Sequence, residues 1–186
     1  MGLKLTNTSD PPDDDLVKEV YAHFGLCIYL SQVFETGMIN ILTALETAVS
    51  KSPTRQTFDQ LYGKHESLTF GNLLKALKVH DFLPADLLKE VRQLKAERDY
   101  LAHRFFRDHD LDFMTVAGCY VMIEFLESRR DRFISVDERV SQFQVQALAK
   151  IGIDPERFDA MTDHELSKML EMARSRYSSK LAKDQE

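Results

Sequence analysis

The sequence contains no tryptophan and is poor in residues that break regular structure, with 7 glycines and 5 prolines among 186 residues. So few breakers favour long helices joined by a small number of turns. The two cysteines, Cys27 and Cys119, have neither the spacing of metal ligands nor the number that a disulfide framework requires. We therefore expect a chain that folds without disulfides, in a reducing cytoplasm.

Targeting and membrane signals are also missing from the sequence. No uninterrupted apolar run approaches the roughly 20 residues that a membrane-spanning helix requires. The N-terminal stretch MGLKLTNTSDPPDDD is polar and acidic, and it lacks the apolar core of a signal peptide. These absences predict a cytoplasmic protein that has no membrane partner.

The charge balance is acidic, with 24 lysines and arginines against 30 aspartates and glutamates, a net charge of −6. Proteins that coat nucleic acid indiscriminately depend on many basic contacts to phosphates, so the balance argues against that class. It still permits an enzyme that binds a few phosphates locally. Any anion-binding function must therefore lie in a focused site.

Apolar residues recur every three or four positions through most of the chain, and no segment shows the alternating pattern of a strand. The pattern predicts an all-α fold, an antiparallel up-and-down helical bundle. The longer predicted helices cover residues 16–48, 69–79, 84–106 and 113–150.

The same pattern predicts three regions along the chain. Residues 1–13 are short, polar and proline-terminated, so we expect them to be disordered. Residues 14–135 form the predicted helical bundle. Residues 136–186 form a predicted C-terminal helical extension, in which Thr162 and Glu165 have the spacing of a capping box.

One arginine interrupts the apolar face of the predicted helix that starts at Pro84. At about 100° per residue, Arg98 falls in the middle of the stripe. One interpretation is that its aliphatic stem packs while the guanidinium reaches outward, onto a glutamate for example. The other is that Arg98 faces a functional site. The apolar members of the stripe are Leu87, Val91, Leu94, Leu101 and Phe105.

The residues around Arg98 have the chemistry needed to cleave RNA without a metal. His103 can exchange a proton near neutral pH, and Asp99 lies one turn before it, where a carboxylate can orient an imidazole. Arg98 stays charged and can stabilise a phosphoryl group. Arg104 and Arg107 follow as weaker candidates for substrate contacts.

Three further features have simpler interpretations. Arg104 and His109 repeat the Arg98–His103 spacing, which we interpret as coincidence at a solvated helix end. The basic stretch 127–133, ESRRDRF, we interpret as a solvated face that helps to hold phosphates. Glu35 and Asn40 interrupt an apolar stretch, where hydrogen bonding between helices is the expected role.

Motifs that would require a metal or an organic cofactor are missing. No glutamate precedes a histidine at the spacing of di-iron bundles, and no phosphate-binding loop, dinucleotide fingerprint, HExxH or GxSxG occurs. We therefore predict a site without a cofactor or metal.

The stretch ERDYLAHRFF resembles the HEPN superfamily (higher eukaryotes and prokaryotes nucleotide-binding domain). The hallmark of that family is an arginine, often followed by a polar residue, with a histidine after four to six intervening positions. Arg98, Asp99 and His103 match that pattern. The first long helix, FGLCIYLSQVFETGMINILTAL, and the stretch LTFGNLLKAL are also similar, so the resemblance covers about residues 14–135.

The resemblance implies a homodimer in which Arg98 and His103 of both copies face a shared cleft. Many members are metal-independent endoribonucleases of toxin–antitoxin, abortive-infection and other defence systems. It therefore implies cleavage of single-stranded RNA to 2′,3′-cyclic phosphate and 5′-hydroxyl ends by a toxin or phage-defence effector. An antitoxin or a nucleotidyltransferase-like inhibitor is the further partner that it suggests.

The resemblance leaves two alternatives open. Some members have kept the fold as non-catalytic binding or regulatory modules, and a helical scaffold for a protein partner is the third hypothesis. In the branch silenced by a nucleotidyltransferase, the modified tyrosine lies two positions after the histidine. This chain has Phe105 there, which departs from that mode of inhibition.

Overall fold

The computed structural model describes residues 8–153 together with 167, 168 and 170–172. The all-α prediction is confirmed, because between residues 8 and 153 the chain forms six α-helices and no strand. A single 3₁₀ turn, Asp112–Met114, lies between the last two helices. The helices are α1 Asp14–Ala48, α2 Arg55–Glu66, α3 Phe70–Val79, α4 Ala85–His103, α5 Phe105–Asp108 and α6 Val116–Ala149.

The two longest helices, α1 and α6, run parallel and form the centre of the bundle. Their middles meet where the Cys27 thiol donates to the Leu126 carbonyl oxygen at 3.2 Å, and burial raises the pKa of that thiol to about 11. Further along both helices, Gly37 lies beside Gln144. The four helices between them in sequence, α2 to α5, fill the remaining sides.

Helix α4 runs antiparallel to both α1 and α6. Charged side chains join it to α6, where Arg139 donates to Glu90 near the start of α4 and Arg132 donates to Glu97 further along. Each step along α4 therefore corresponds to a step backwards along α6. This alternation in direction is that of an up-and-down bundle.

Helices α2 and α3 cover the C-terminal half of α1. The buried His65 imidazole of α2 shares a hydrogen bond of 2.9 Å with the Thr43 hydroxyl of α1. The Phe70 ring of α3 packs on Phe34 of α1 with ring centroids 6.0 Å apart. These contacts leave the outer faces of α3 and α4 exposed side by side.

One described helix, α1, is long and apolar enough to cross a membrane by length and composition alone, although no uninterrupted apolar run in it reaches that length. Its most apolar window is 39% buried inside the bundle. Because α1 contacts α2, α3, α4 and α6, its apolar residues have a structural role in the core. The cytoplasmic location stays a prediction.

The N-terminal segment 1–13, expected to be disordered, is ordered from Thr8 onwards. The carbonyl oxygens of Thr8 and Asp10 accept backbone hydrogen bonds from Ala117 at 3.0 Å and from Val116 at 2.9 Å. These bonds pair N–H groups that the start of a helix leaves without an intrahelical partner. The residues before Thr8 lie outside the described part of the chain.

The expected division between a bundle at 14–135 and an extension at 136–186 is wrong, because it falls inside α6. Val136 and Val140 are buried in the same core as the residues before them. The helix therefore continues the bundle to Ala149. The capping box predicted further on lies outside the described residues.

Candidate active site on α4

Arg98 lies half-buried between two buried leucines of α4, Leu94 and Leu101. Its Nη2 atom is 3.6 Å from Glu35 Oε2 of α1, and its Nη1 atom donates to Asp99 Oδ1 at 3.2 Å. The guanidinium therefore reaches a glutamate while the stem packs in the stripe. Glu35 joins two helices, as expected for a polar residue in an apolar stretch.

The structure does not place Asp99 in its predicted role of orienting His103. Asp99 Oδ2 accepts a hydrogen bond from Lys95 Nζ, while Oδ1 accepts from Arg98. Burial acts to raise the pKa of Asp99, but the two cations outweigh it and the pKa lies below its ordinary value. Asp99 therefore stays ionised and positions the Arg98 guanidinium.

His103 is the last residue of α4, and its side chain is exposed. Among the described residues its ring has no hydrogen-bond partner, whereas its carbonyl oxygen accepts a hydrogen bond from Arg107. Five positions separate His103 from Arg98, which puts them roughly 140° apart on the helix. The chain thus presents an accessible imidazole and, on a different face of α4, a guanidinium held by carboxylates.

Helix α4 ends earlier than the predicted end near Phe106. The backbone leaves helical geometry at Arg104, where φ is −130° and ψ is −29°. The break turns Phe105 into the core, where it is fully buried against Phe24 and Phe125 at centroid distances of 5.7 and 5.8 Å. The break leaves His103 at a helix end.

The two weaker substrate-contact candidates are exposed but have intramolecular partners. Arg104 Nη2 lies 3.1 Å from Asp108 Oδ2, and Arg107 donates to the His103 carbonyl oxygen. Both arginines therefore hold the segment that follows His103. Contact with a substrate phosphate stays a prediction for each of them.

The interpretation of His109 as part of a solvated helix end is wrong. Its side chain is only 16% exposed, and its Nδ1 atom lies 2.7 Å from Asp112 Oδ2. The ring packs on Phe105 and Phe125 with centroids 4.9 and 5.7 Å away. His109 is thus a structural residue that fixes the 3₁₀ turn to the aromatic cluster.

The arginines of the 127–133 stretch mostly have partners within the protein itself, and contact with a phosphate stays a prediction for them. Arg132 donates to Glu97 and Gln93 of α4, and the Arg129 guanidinium lies 4.5 Å above the Phe125 ring. They line a cleft of about 480 Å³ between α4 and α6. Their charges therefore join these two helices.

Lys95 is a member of the site that the pattern around Arg98 and His103 did not indicate. Its spacing of four residues from Asp99 is the signal that could have identified it, because such pairs are neighbours on a helix. The structure thus brings together Glu35, Lys95, Arg98 and Asp99, two cations with two carboxylates. In the described part of the chain, no group of three or more histidine, cysteine, aspartate or glutamate side chains could hold a metal ion.

A scan against protein-family models and searches of curated proteins and of solved structures found no match to this chain. Its function must therefore be inferred from its own residues and from the pattern around Arg98 and His103.

Proposed function

We propose that the protein is a metal-independent endoribonuclease of the HEPN type that cleaves single-stranded RNA as a homodimer. The observation that carries the proposal is the exposed His103 imidazole at the end of α4, five positions after an arginine whose guanidinium is fixed by Glu35 and Asp99. The alternating direction of the helices is consistent with the bundle that the resemblance implies.

In the proposed reaction, His103 accepts the proton of the ribose 2′-hydroxyl while the 2′-oxygen attacks the adjacent phosphorus. The bond from phosphorus to the 5′-oxygen breaks, and the partner's His103 donates a proton to that oxygen. Arg98 stabilises the charge on the phosphoryl oxygens. The products carry a 2′,3′-cyclic phosphate and a 5′-hydroxyl. One His103 takes up a proton and the other gives one up, so the step requires no metal.

One observation favours the second candidate, a non-catalytic binding or regulatory module. The Arg98 guanidinium already faces Glu35 and Asp99, and with Lys95 these four side chains have no net charge. To bind a phosphate, Arg98 must exchange one carboxylate for it. In the non-catalytic alternative, Arg98 keeps both carboxylates and joins α4 to α1.

The biological setting that we propose follows from the resemblance alone. The protein would act in the cytoplasm as a toxin or phage-defence effector held in check by an antitoxin or a nucleotidyltransferase-like inhibitor. Induced expression should then arrest bacterial growth, and His103→Ala should relieve the arrest while the protein accumulates to the same level. Equal arrest by both proteins would contradict an effector that acts through RNA cleavage.

The direct test is cleavage of end-labelled single-stranded RNA in excess EDTA. Arg98→Ala and His103→Ala should each lower the rate at least about 100-fold, the usual contribution of a proton-transfer or charge-stabilising group. Arg55→Ala, which removes an exposed arginine of α2, and His23→Ala on α1 are the matched controls and should cleave like the wild type.

The product ends and the substrate sugar make the test specific. A 2′-deoxy substitution at the cleaved nucleotide should abolish cleavage there, and the downstream product should accept a label from a polynucleotide kinase without prior phosphatase treatment. Cleavage that survives either the 2′-deoxy substitution or His103→Ala would contradict the proposed chemistry.

Glu35→Gln tests whether Arg98 exchanges a carboxylate for a phosphate during cleavage. The amide keeps the shape of the side chain but removes the charge that Arg98 faces at 3.6 Å. If Arg98 must exchange a carboxylate for a phosphate, Glu35→Gln should cleave RNA at least as fast as the wild type. A variant that folds normally but has lost cleavage would show that Glu35 is needed at the site itself.

A further inference from the structure

A shallow groove of about 180 Å³ runs between the exposed faces of α3 and α4. We call it the α3–α4 groove. Four of its six lining residues are cations, and none is a carboxylate. Gly71 leaves room for the Lys95 stem, whose Cε atom lies 3.3 Å from where a Cβ atom would be. The lining residues are Gly71, Leu74, Lys75, Lys78, Arg92 and Lys95.

The cations of the α3–α4 groove differ from most of the basic residues on α6. Lys75, Lys78 and Arg92 make no ion pair with any described residue, and only Lys95 is paired, with Asp99. By contrast, Arg132 and Arg139 both pair with carboxylates of α4. Cations gathered in one groove repel each other, so an arrangement of this kind favours an anionic ligand.

The groove leads towards His103 along the outer face of α4. Arg92, Asp99 and His103 are separated by seven and then four residues, which places them within about 40° of one another on the helix. The distance from Arg92 to His103 along the axis is about 16 Å. A linear polyanion bound in the groove would therefore continue past Asp99 to the exposed imidazole.

We propose that the α3–α4 groove binds the phosphate backbone of single-stranded RNA and guides it to His103, an inference that rests on the proposed endoribonuclease function. Lysine and arginine side chains that contact phosphates fix the position of a strand without reading its sequence. The groove is lined by side chains of this kind, whose stems form its walls, and it contains no aromatic side chain on which a base could stack. Binding there should be independent of sequence.

The test is the salt dependence of RNA binding. His103→Ala serves as the background so that the strand stays intact, and the groove variant adds Lys75→Gln, Lys78→Gln and Arg92→Gln. Each phosphate contact to a single strand contributes about 0.7 to the slope of log Kd against log salt concentration, so the groove variant should lose about 2 from the slope. Between about 50 and 200 mM KCl, the background protein should lose about 20-fold more affinity than the groove variant.

The matched control changes the net charge by the same amount elsewhere on the surface. It combines Lys18→Gln, Lys51→Gln and Arg55→Gln, all exposed side chains of α1, α2 and the loop between them. Its slope should equal that of the background protein. A second variant, which combines Lys75→Arg and Lys78→Arg, keeps the charge and should keep the slope. Equal melting temperatures show that all the variants fold.

The outcomes separate this inference from the proposed function. Equal slopes for the groove variant and the control, or no RNA binding by the background protein, would overturn the groove proposal even if the wild type cleaves RNA. A groove-dependent slope in a protein that never cleaves RNA would support the groove and overturn the endoribonuclease. Binding to vesicles of anionic lipid is measured with the same variants. If the groove variant loses binding to the vesicles but keeps the salt slope of the background protein for RNA, RNA is not the ligand of the groove.

Discussion

Replacing Phe105 with alanine tests whether the aromatic cluster fixes the end of α4. The Phe105 ring is completely buried, and its nearest aromatic neighbours are His109 at 4.9 Å and Phe106 at 5.1 Å between centroids. Phenylalanine-to-alanine changes in a core lower the free energy of unfolding by about 3–5 kcal/mol. The loss of aromatic pairs adds to the loss of buried apolar surface. For a domain of this size, that corresponds to a melting temperature lower by about 8–16 °C.

Phe58→Ala is the control, because the same atoms are removed from a half-buried ring of α2 that stacks only on Tyr62, at 6.4 Å, among the described aromatic rings. We expect a cost of about 1 kcal/mol there. Urea unfolding followed by circular dichroism measures both variants, with the slope against urea as a check that each unfolds in two states. Similar costs at the two positions, or a cost below about 1 kcal/mol for Phe105→Ala, would refute the central role of the cluster.

Two further predictions concern the buried His65 and the buried Gly118, with the exposed Gly25 for comparison. Burial lowers the pKa of His65 below its ordinary value of 6.5, against the opposing effect of Glu46, so the unfolded chain binds a proton more readily than the folded one. Stability should therefore fall as the pH drops below about 6.5. Between about pH 7.5 and 5.5, the melting temperature of His65→Gln should fall less than that of the wild type. An equal fall in both proteins would refute protonation of His65 as the cause. A Cβ atom on Gly118 would lie 2.0 Å from the Asp112 carbonyl oxygen, whereas one on Gly25 would meet nothing within 4 Å. Gly118→Ala should cost about 1–3 kcal/mol and Gly25→Ala should stabilise by about 0.5–1 kcal/mol in urea unfolding, and effects of the same sign would contradict the geometry.

Helical periodicity was enough to predict most of the fold. The apolar members of the predicted stripe are buried as expected, from Leu87 to Leu101 on α4 and at Phe105 in α5. The predicted helix at 69–79 matches α3, with Thr69 as its N-cap. Such patterns are reliable because every apolar residue on one face contributes to the same burial. The order and alternating direction of the helices then follow from short connections.

The end of α4 was not predictable in the same way. Nothing in the local sequence distinguishes Arg104 from a helical residue, since the break depends on rings that Phe24 and Phe125 contribute from α1 and α6. Periodicity describes one helix at a time, whereas this break depends on side chains from three helices. The same reason explains why His109 was misassigned to solvent.

The contacts of Asp99 show a second limit of sequence reasoning. By its spacing, Asp99 has two possible partners one helical turn away, Lys95 before it and His103 after it. In the structure its partners are Lys95 and the adjacent Arg98. A carboxylate between two cations gains more than one that faces an imidazole of variable charge. Counting the cations within one turn would have favoured this outcome.

The net charge of −6 does not exclude an RNA substrate, because an anion near the surface responds to the charges within a Debye length of about 10 Å. On α6, carboxylates of α4 offset Arg132 and Arg139. On the neighbouring face, Lys75, Lys78 and Arg92 have no such partner among the described residues. The packing of α3 on α4 thus separates the charges, so that an acidic chain presents a local cationic surface directed towards His103.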